Sequence, residues 1–495
     1  MAKENQLIRS VLEPSIILDK IVATDVEQGT ASNMGSPSSP VKYSKQYGGA
    51  FPLVQINSRV FDSEAITRME IRCVGYRPTA SVTVIIRDKS FYSVSYPKDG
   101  DLLSLFIRSK DDLFKPIRND YDITNVTVNT TAGGGENSPE TMTVTGVLRI
   151  PGLDAQKCFS KKGSAYDALM QASSDLLLGF SSNEVDTQDM QTWICPFETV
   201  ADYIHNVSSS SWKDNKSFFT YFIDHYYHVN YVNVDPLFSE KADIDEGMAL
   251  NLMTTDYGKD SEQGKQIGKI VLSNWDEISD TAMHIDSYAL QNYSASINLR
   301  DGYKKYVQYY DSILKEYQSI FVDPISSPGA EDDQIILKGR PNEDFYLSQV
   351  THKWMGIQYG KNAENAHDKI NYAKIQNYQN LVHLNKMVLN VKLQGCNFNL
   401  RRFQVIPVVI VIKTDITRKK INEPIDDSHQ KSIPNSNEPN RTQPAIDSEQ
   451  TPIAIDKFYT GFYVVRDIVY TYNKGQFRQE CSLIRREWPT PPQTN

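Results

Sequence analysis

The stretch DHYYH sets Asp224 beside His225 and His228. On a helix, two histidines three apart share a face and could hold a metal with the carboxylate. The surrounding SFFTYFIDHYYHVNYVNV alternates aromatic and polar residues, which predicts strands, and strand residues three apart point to opposite faces. No third His or Cys lies nearby, so both histidines read as structural. Glu343 and Asp344 in RPNEDFY offer the carboxylate pair that glycoside hydrolysis needs. A chain with 61 Asp and Glu makes such neighbours by chance. The glycines of TAGGGENSP, Thr131 to Pro139, could cradle a phosphate. That chemistry calls for a following Lys-Ser/Thr and a helix; a strand pattern follows instead, and the segment reads as a hairpin loop. The five cysteines (Cys73, Cys158, Cys195, Cys396, Cys481) form no CxxC pair and read as reduced thiols buried in strands. GxSxG, HExxH, GxxxxGK[ST] and GxGxxG are all missing. A Ser-His-Asp or Cys-His site assembles only in the fold, and nothing local points to one. The expectation is no catalytic, cofactor-binding or metal-binding residue, and no cofactor.

The elements that would position such residues are mostly strands. The chain has 495 residues, 40% hydrophobic and 23% charged, enough for several cores. Its 28 tyrosines suit half-buried strands and interfaces, where an apolar ring ends in a polar tip. The net charge is -9, and the basic runs Lys161-Lys162 and Arg418-Lys420 are too short for a phosphate-gripping stripe. This argues against a grip on DNA but not against a channel that DNA slides through. MAKENQLIRS lacks the apolar core of a signal peptide. VIPVVIVI, Val405 to Ile412, falls far short of the ~20 residues of a membrane helix. Synthesis and folding in the cytosol, without membrane insertion, are expected.

Residues 1–49 read as an extended arm whose EQGTASNMGSPSSP is too poor in apolar residues to order itself. Residues 50–152 hold six short β-branched runs bounded by turn residues, the spacing of a β sandwich or barrel. Residues 153–235 read as a small α/β domain. In SAYDALMQASSDLLLG, Ser164 is an N-cap with Asp167 three residues on and Gly179 as a stop. A second helix is expected over Phe197–Val207. Residues 236–385 are mixed, and DGYKKYVQYYDSILKEYQ fits a strand or a helix equally. A second β region spans 386–490, interrupted by a polar insertion at 415–452, and 491–495 is a tail.

The second β region ends in FYVVRDIVYTYNKGQFRQECSLIRREWP, two strand patterns around a turn at Asn473–Gln476, with Gly475 free to take positive φ. If the first strand is unbroken, Phe462, Val464, Ile468, Tyr470 and Tyr472 share one face and Tyr463, Val465 and Val469 the other. Phe477, Gln479, Cys481 and Leu483 share a face of the return strand. A strand apolar on both faces must be covered on both. This hairpin, closing on LIRREWP, resembles the C-terminal end of baseplate hub proteins of contractile-tailed bacteriophages. WMGIQYG, AKIQNYQNLVHLNKMVLNVKLQGCNFNLRRFQVIPVVIV, DGYKKYVQYYD and SAYDALMQASSDLLLGF through SFFTYFIDHYYHVNYV are similar, in order, to further hub segments.

The resemblance implies an α+β, mainly β fold, with two tail-tube-like β-barrel domains and α/β and mixed domains between them. It implies a structural virion protein of the tail baseplate, assembled in the host cytoplasm. Three copies would form a homotrimer presenting six similar units, adapting the tail tube protein to the tail spike protein. Baseplate wedge proteins would sit outside, and DNA would pass through the lumen unbound. The acidic balance would suit a lumen that repels phosphates. Relatives occur in contractile injection systems outside phages. Two rival readings stand beside this: a tail-associated cell-wall hydrolase and a receptor-binding tail protein.

Overall fold

The computed structural model describes residues 50–57, 59–61, 63–87, 91–94, 96–109, 116–129, 140–238, 243–244, 248–249, 252, 270–275, 282–293, 296–297, 304–311, 315–322, 350–358, 367–412, 454–473 and 475–485. The arm at 1–49, the glycine loop at 131–139, Glu343 and Asp344, the insertion at 415–452 and the tail at 491–495 lie outside them.

The fold is mainly β. The first β region comprises β1 (Ala50–Ile56), β2 (Arg59–Phe61), β3 (Ile66–Cys73), β4 (Thr79–Ile86), the short helix α1 (Phe91–Val94), β5 (Leu102–Ser109), β6 (Ile117–Asn129) and β7 (Glu140–Leu148). Its strands alternate cleanly: Ala80, Val82, Val84 and Ile86 of β4 are buried while Thr79, Ser81, Thr83 and Ile85 are half-buried. That period of two is what a sheet with one covered face requires. Gly146 sits where a Cβ would lie 2.8 Å from the Asp122 carbonyl oxygen, so only glycine lets β6 and β7 approach there.

A smaller unit follows, built of β8 (Gln156–Gly163), α2 (Ala165–Asp175), β9 (Gly179–Ser182), β10 (Gln191–Thr199), α3 (Val200–Ser209), β11 (Phe219–Ile223) and β12 (His228–Asn233). The expected cap is present: the Ser164 hydroxyl accepts from the Asp167 N–H at 3.2 Å, and the Asp167 carboxylate accepts from the Ser164 N–H at 3.1 Å. Gly179 is not the stop. Leu177, at φ 58, makes the left-handed turn, and Gly179 opens β9 beneath the His228 ring. A Cβ at Gly179 would lie 2.2 Å from His228 Cδ2. The second helix starts at Val200, capped by Thr199, because Phe197 (φ 59) stands at a bulge in β10.

The rest of the chain supplies β13 (Val271–Ser273), β14 (Ala282–Asn292), β15 (Lys304–Asp311), β16 (Glu316–Val322), β17 (Val350–Gln358), α4 (Ile370–Leu384), β18 (Met387–Gln394), β19 (Val405–Val409), β20 (Gly461–Asn473) and β21 (Gln476–Ile484). The ambiguous 301–318 segment is a hairpin: β15 pairs with β16 and, in parallel, with β17. β13 and β14 do not belong to a mixed domain. They join β18, β21, β20 and β19 in a six-stranded barrel that the β19–β20 pairing closes. Their sequence hid this, since a bulge at Asp286 breaks the alternation and the residues beyond it are largely exposed.

The two β regions are one sheet. β3 pairs antiparallel with the second half of β20, from Ile468↔Cys73 to Asn473↔Arg68. Thirteen strands run β19-β13-β14-β18-β21-β20-β3-β4-β7-β6-β5-β1-β2. Within that order a pattern occurs twice, β14-β18-β21-β20 and then β3-β4-β7-β6. β18 and β4 each have 8 residues, β21 and β7 have 9, and β20 and β6 have 13. Bulges fall at matching places, at Arg466 in β20 and Thr124 in β6, and at Asp286 in β14 and Thr67 in β3. The first halves of β20 and β6 pair with β19 and β5 respectively. The chain thus holds two copies of one strand arrangement laid edge to edge.

Candidate functional site

The two β regions and the α/β unit meet at a junction held by buried hydrogen bonds. It starts from the bulge in β20. The extra residue, Arg466, shifts the register between Val465 and Asp467. Tyr463, Val465, Ile468, Tyr470 and Tyr472 therefore share the barrel core, while Val464 packs outside against Val388 and Ile484, with Leu237, Phe238 and Leu384 beside them. The unbroken-strand assignment of faces fails at this one residue. The second apolar face is covered, as such a strand requires, by the end of α4 and the segment after β12.

Arg402, from the turn before β19, fills the gap opened by the bulge. Its side chain is 11% exposed. Its guanidinium donates to the Gly75 carbonyl in the β3–β4 turn, to the Arg466 carbonyl at 2.6 Å and to the Asp467 carboxylate at 3.2 Å. It also lies 4.9 Å from the Phe222 ring centre in β11. One planar fork thus ties together both β regions and the α/β unit, which a point-charge ammonium would not do. Burial pulls its pKa below the usual value, and Asp467 pulls it back.

The DHYYH histidines belong to the same junction, in a turn rather than a strand. Asp224 to Tyr227 link β11 and β12, with Tyr227 at φ 62. The Asp224 carboxylate accepts from the N–H groups of Tyr226 and His228 at 2.9 and 3.0 Å and lies 3.5 Å from His228 Nδ1. Burial would raise this carboxyl, but the hydrogen bond and charge of His228 hold it below the usual range. His225 points the other way, into the core. Its Nδ1 lies 4.0 Å from Cys73 Sγ, its ring 4.3 Å from Tyr226 and 5.9 Å from Phe398. Its carbonyl accepts from Asn119 Nδ2 at 2.8 Å, and the Tyr227 hydroxyl accepts from the Asp120 N–H at 3.2 Å. Phe398 stacks on Tyr470 at 4.1 Å. Burial lowers the His225 pKa to about 4 and pushes the Cys73 thiol up to about 12, so at neutral pH both are uncharged. Among the described residues no three His, Cys, Asp or Glu side chains gather as a metal site. Cys195, Cys396 and Cys481 are buried like Cys73, whereas Cys158 is exposed.

α4 fastens the α/β unit to this assembly. Asn377 accepts from the Phe219 N–H at 3.0 Å and donates to the carbonyls of Ser209 and Ser211 at 2.9 and 3.0 Å; Gln376 donates to Ser217 at 2.6 Å. Buried amides so used fix one docking geometry. Sequence reasoning missed Arg402, Asn377 and Gln376, which sit among other polar residues in NFNLRRFQ and AKIQNYQN.

The face of the joined sheet opposite the core is polar. β4 and β7 present Ser81, Thr83, Thr143 and Thr145, with Thr83 Oγ1 3.0 Å from Thr143 Oγ1. On β3, β18 and β21, Glu70 pairs with Arg68 and Arg72 at 2.7 and 2.8 Å and Glu480 with Lys392 at 3.3 Å, and Arg478 is exposed beside them. The acidic excess of the chain is not concentrated on this face.

No protein-family model matches the chain, and no curated protein matches it. Solved structures do. It is similar to a prophage MuSo2 tail protein from Shewanella oneidensis, with TM-score 0.47 and 8% identity over 88% of this chain and 98% of that one. A tail protein from Neisseria meningitidis gives 0.43 and 9%, over 88% and 97%. A component of the Escherichia coli type VI secretion system, described as structurally similar to bacteriophage T4 tail proteins, gives 0.36 and 8%, over 88% and 77%.

Proposed function

We propose that the protein is a structural component of a contractile tail, the central baseplate hub, and that it carries no enzymatic activity. The observation that supports this is the doubled strand arrangement, joined within one chain by the β20–β3 ladder. A chain made of two like units lets three copies present six, which matches a six-fold tube on one side and a three-fold spike on the other. Heterologous contacts of this kind close into a ring when the rotation per unit divides a full turn. In this reading the polar face of the joined sheet lines the lumen. Its Ser and Thr rows and mostly paired charges offer DNA neither a long basic grip nor a strong repulsive field, replacing the expected acidic lining. The α/β unit and α4 face outward toward wedge proteins, in the virion tail.

Electron microscopy of the purified protein tests the reading. Class averages of a three-fold ring with a central hole are expected, alone or with tail tube and spike proteins added. Isolated globules in every combination would end it. A cell-wall zymogram separates the hydrolase alternative, since the hub reading expects no clearing.

A further inference from the structure

A groove of about 380 Å³ opens in the α/β unit between β8, the end of α2 and the start of α3. Its apolar lining comes from Phe159, Ala172, Leu176 and Val200; Lys157 stands on its β8 side and Asp175 on its α2 side. Two large apolar residues beside it are exposed. Leu177, next to Leu176 of the lining, is 50% exposed. Phe197 is 75% exposed and sits at the β10 bulge between Pro196 and Glu198, which pair with Cys158 and Lys157. Both have positive φ, 58 and 59, where bulky side chains rarely go. Among the described non-glycine residues with that backbone, these two alone are large exposed hydrophobics. A bulge that aims an aromatic ring at water makes physical sense when the ring meets a partner.

We infer that residues 7–22 of the same chain dock in this groove and against these two side chains. The segment reads LIRSVLEPSIILDKIV, in which nine residues are large aliphatics. Leaving that much apolar surface in water is unfavourable. The following EQGTASNMGSPSSP has the composition of a linker. Within the segment, SIILDKIV brings aliphatic side chains together with one charge of each sign, Asp19 to meet Lys157 and Lys20 to meet Asp175. Residues 23–49 span up to roughly 90 Å when extended. A compact chain of this length has a radius of gyration of roughly 23 Å, so the groove of the same copy is within reach. Tethering holds the segment at about millimolar effective concentration, so even weak docking is largely occupied. The inference stands whether or not copies assemble into a ring.

Cys158 lines the groove and is exposed, while the other four cysteines are buried, so its alkylation rate in the full chain reports the docking. The triple variant Ile16→Ser/Ile17→Ser/Leu18→Ser should react about tenfold faster, the ratio for a tether at about 1 mM and a Kd of about 0.1 mM. A synthetic peptide of residues 7–22, added to that variant at about 1 mM, should slow the reaction again by a similar factor. Phe197→Gly keeps the left-handed bend and removes the ring. It should speed alkylation in the parent and add nothing in the triple variant. Asp19→Cys should form, on mild oxidation, a disulfide with Cys158 inside one chain, read by peptide mapping of the monomer band on a non-reducing gel. Equal rates in the parent and the triple variant, an additive effect of Phe197→Gly, or linkage only between chains overturns the inference. None of these outcomes bears on the ring sought by microscopy.

Discussion

His225 shows how a residue chosen for chemistry can be spent on packing. Its ring is 6% exposed and surrounded by Tyr226, Phe398 and Tyr470. Facing charges come from Asp224, Arg401 and His228, and burial outweighs them, taking the folded pKa to about 4 against an ordinary value near 6.5. The unfolded chain therefore binds the proton first. Stability from this group is complete above about pH 6.5 and falls, by about 1.4 kcal/mol per unit, as pH drops toward 4. Denaturant melts should show that loss, and His225→Phe, which keeps a ring but cannot titrate, should flatten the slope across that window. An unchanged slope would mean that the ring is solvated in the native state.

At the scale of elements, the turns and glycines are where side-chain reasoning reached its limit. The cap at Ser164 and Asp167 and the positive φ of Gly475 follow from local chemistry, and both were readable. The two halves of the β20–β21 hairpin were readable by alternation, up to the bulge at Arg466. Gly179 was misread because its constraint is not local: the ring of His228, 49 positions away on the parallel neighbour β12, lies across it. Gly179→Ala should force that ring or the β9–β12 pairing apart and cost about 1–3 kcal/mol in a thermal or denaturant melt. The double variant Gly179→Ala/His228→Ala, which removes the ring, should recover most of the loss. If the single variant melts like the parent, β9 has room to shift and the close approach is not a constraint. β13 and β14 were unreadable for a related reason. Half of β14 is exposed in the monomer, so its pattern carries little sign of a sheet.

The whole molecule depends on two β regions behaving as one body. The sequence showed two β-rich stretches but not the ladder between them, because strand partners far apart in the chain leave no periodic mark on either strand. The ladder is six residue pairs long, and Arg402 clamps it beside its Ile468–Cys73 end, held by Gly75, Arg466 and Asp467. Removing one partner of a buried charge pair costs about 3–5 kcal/mol, since the other charge is left without compensation. Arg402→Ala should spend that loss at the seam. Amide exchange read by mass spectrometry should speed up about a hundredfold or more in peptides covering Met69–Cys73 and Ile468–Tyr472, as about 3 kcal/mol implies. The β4–β7 ladder lies one strand further in and should keep its protection. Equal loss in every strand would show that the residue supports the global fold instead of the joint. No change at the seam would show that the ladder holds the two regions together without the guanidinium.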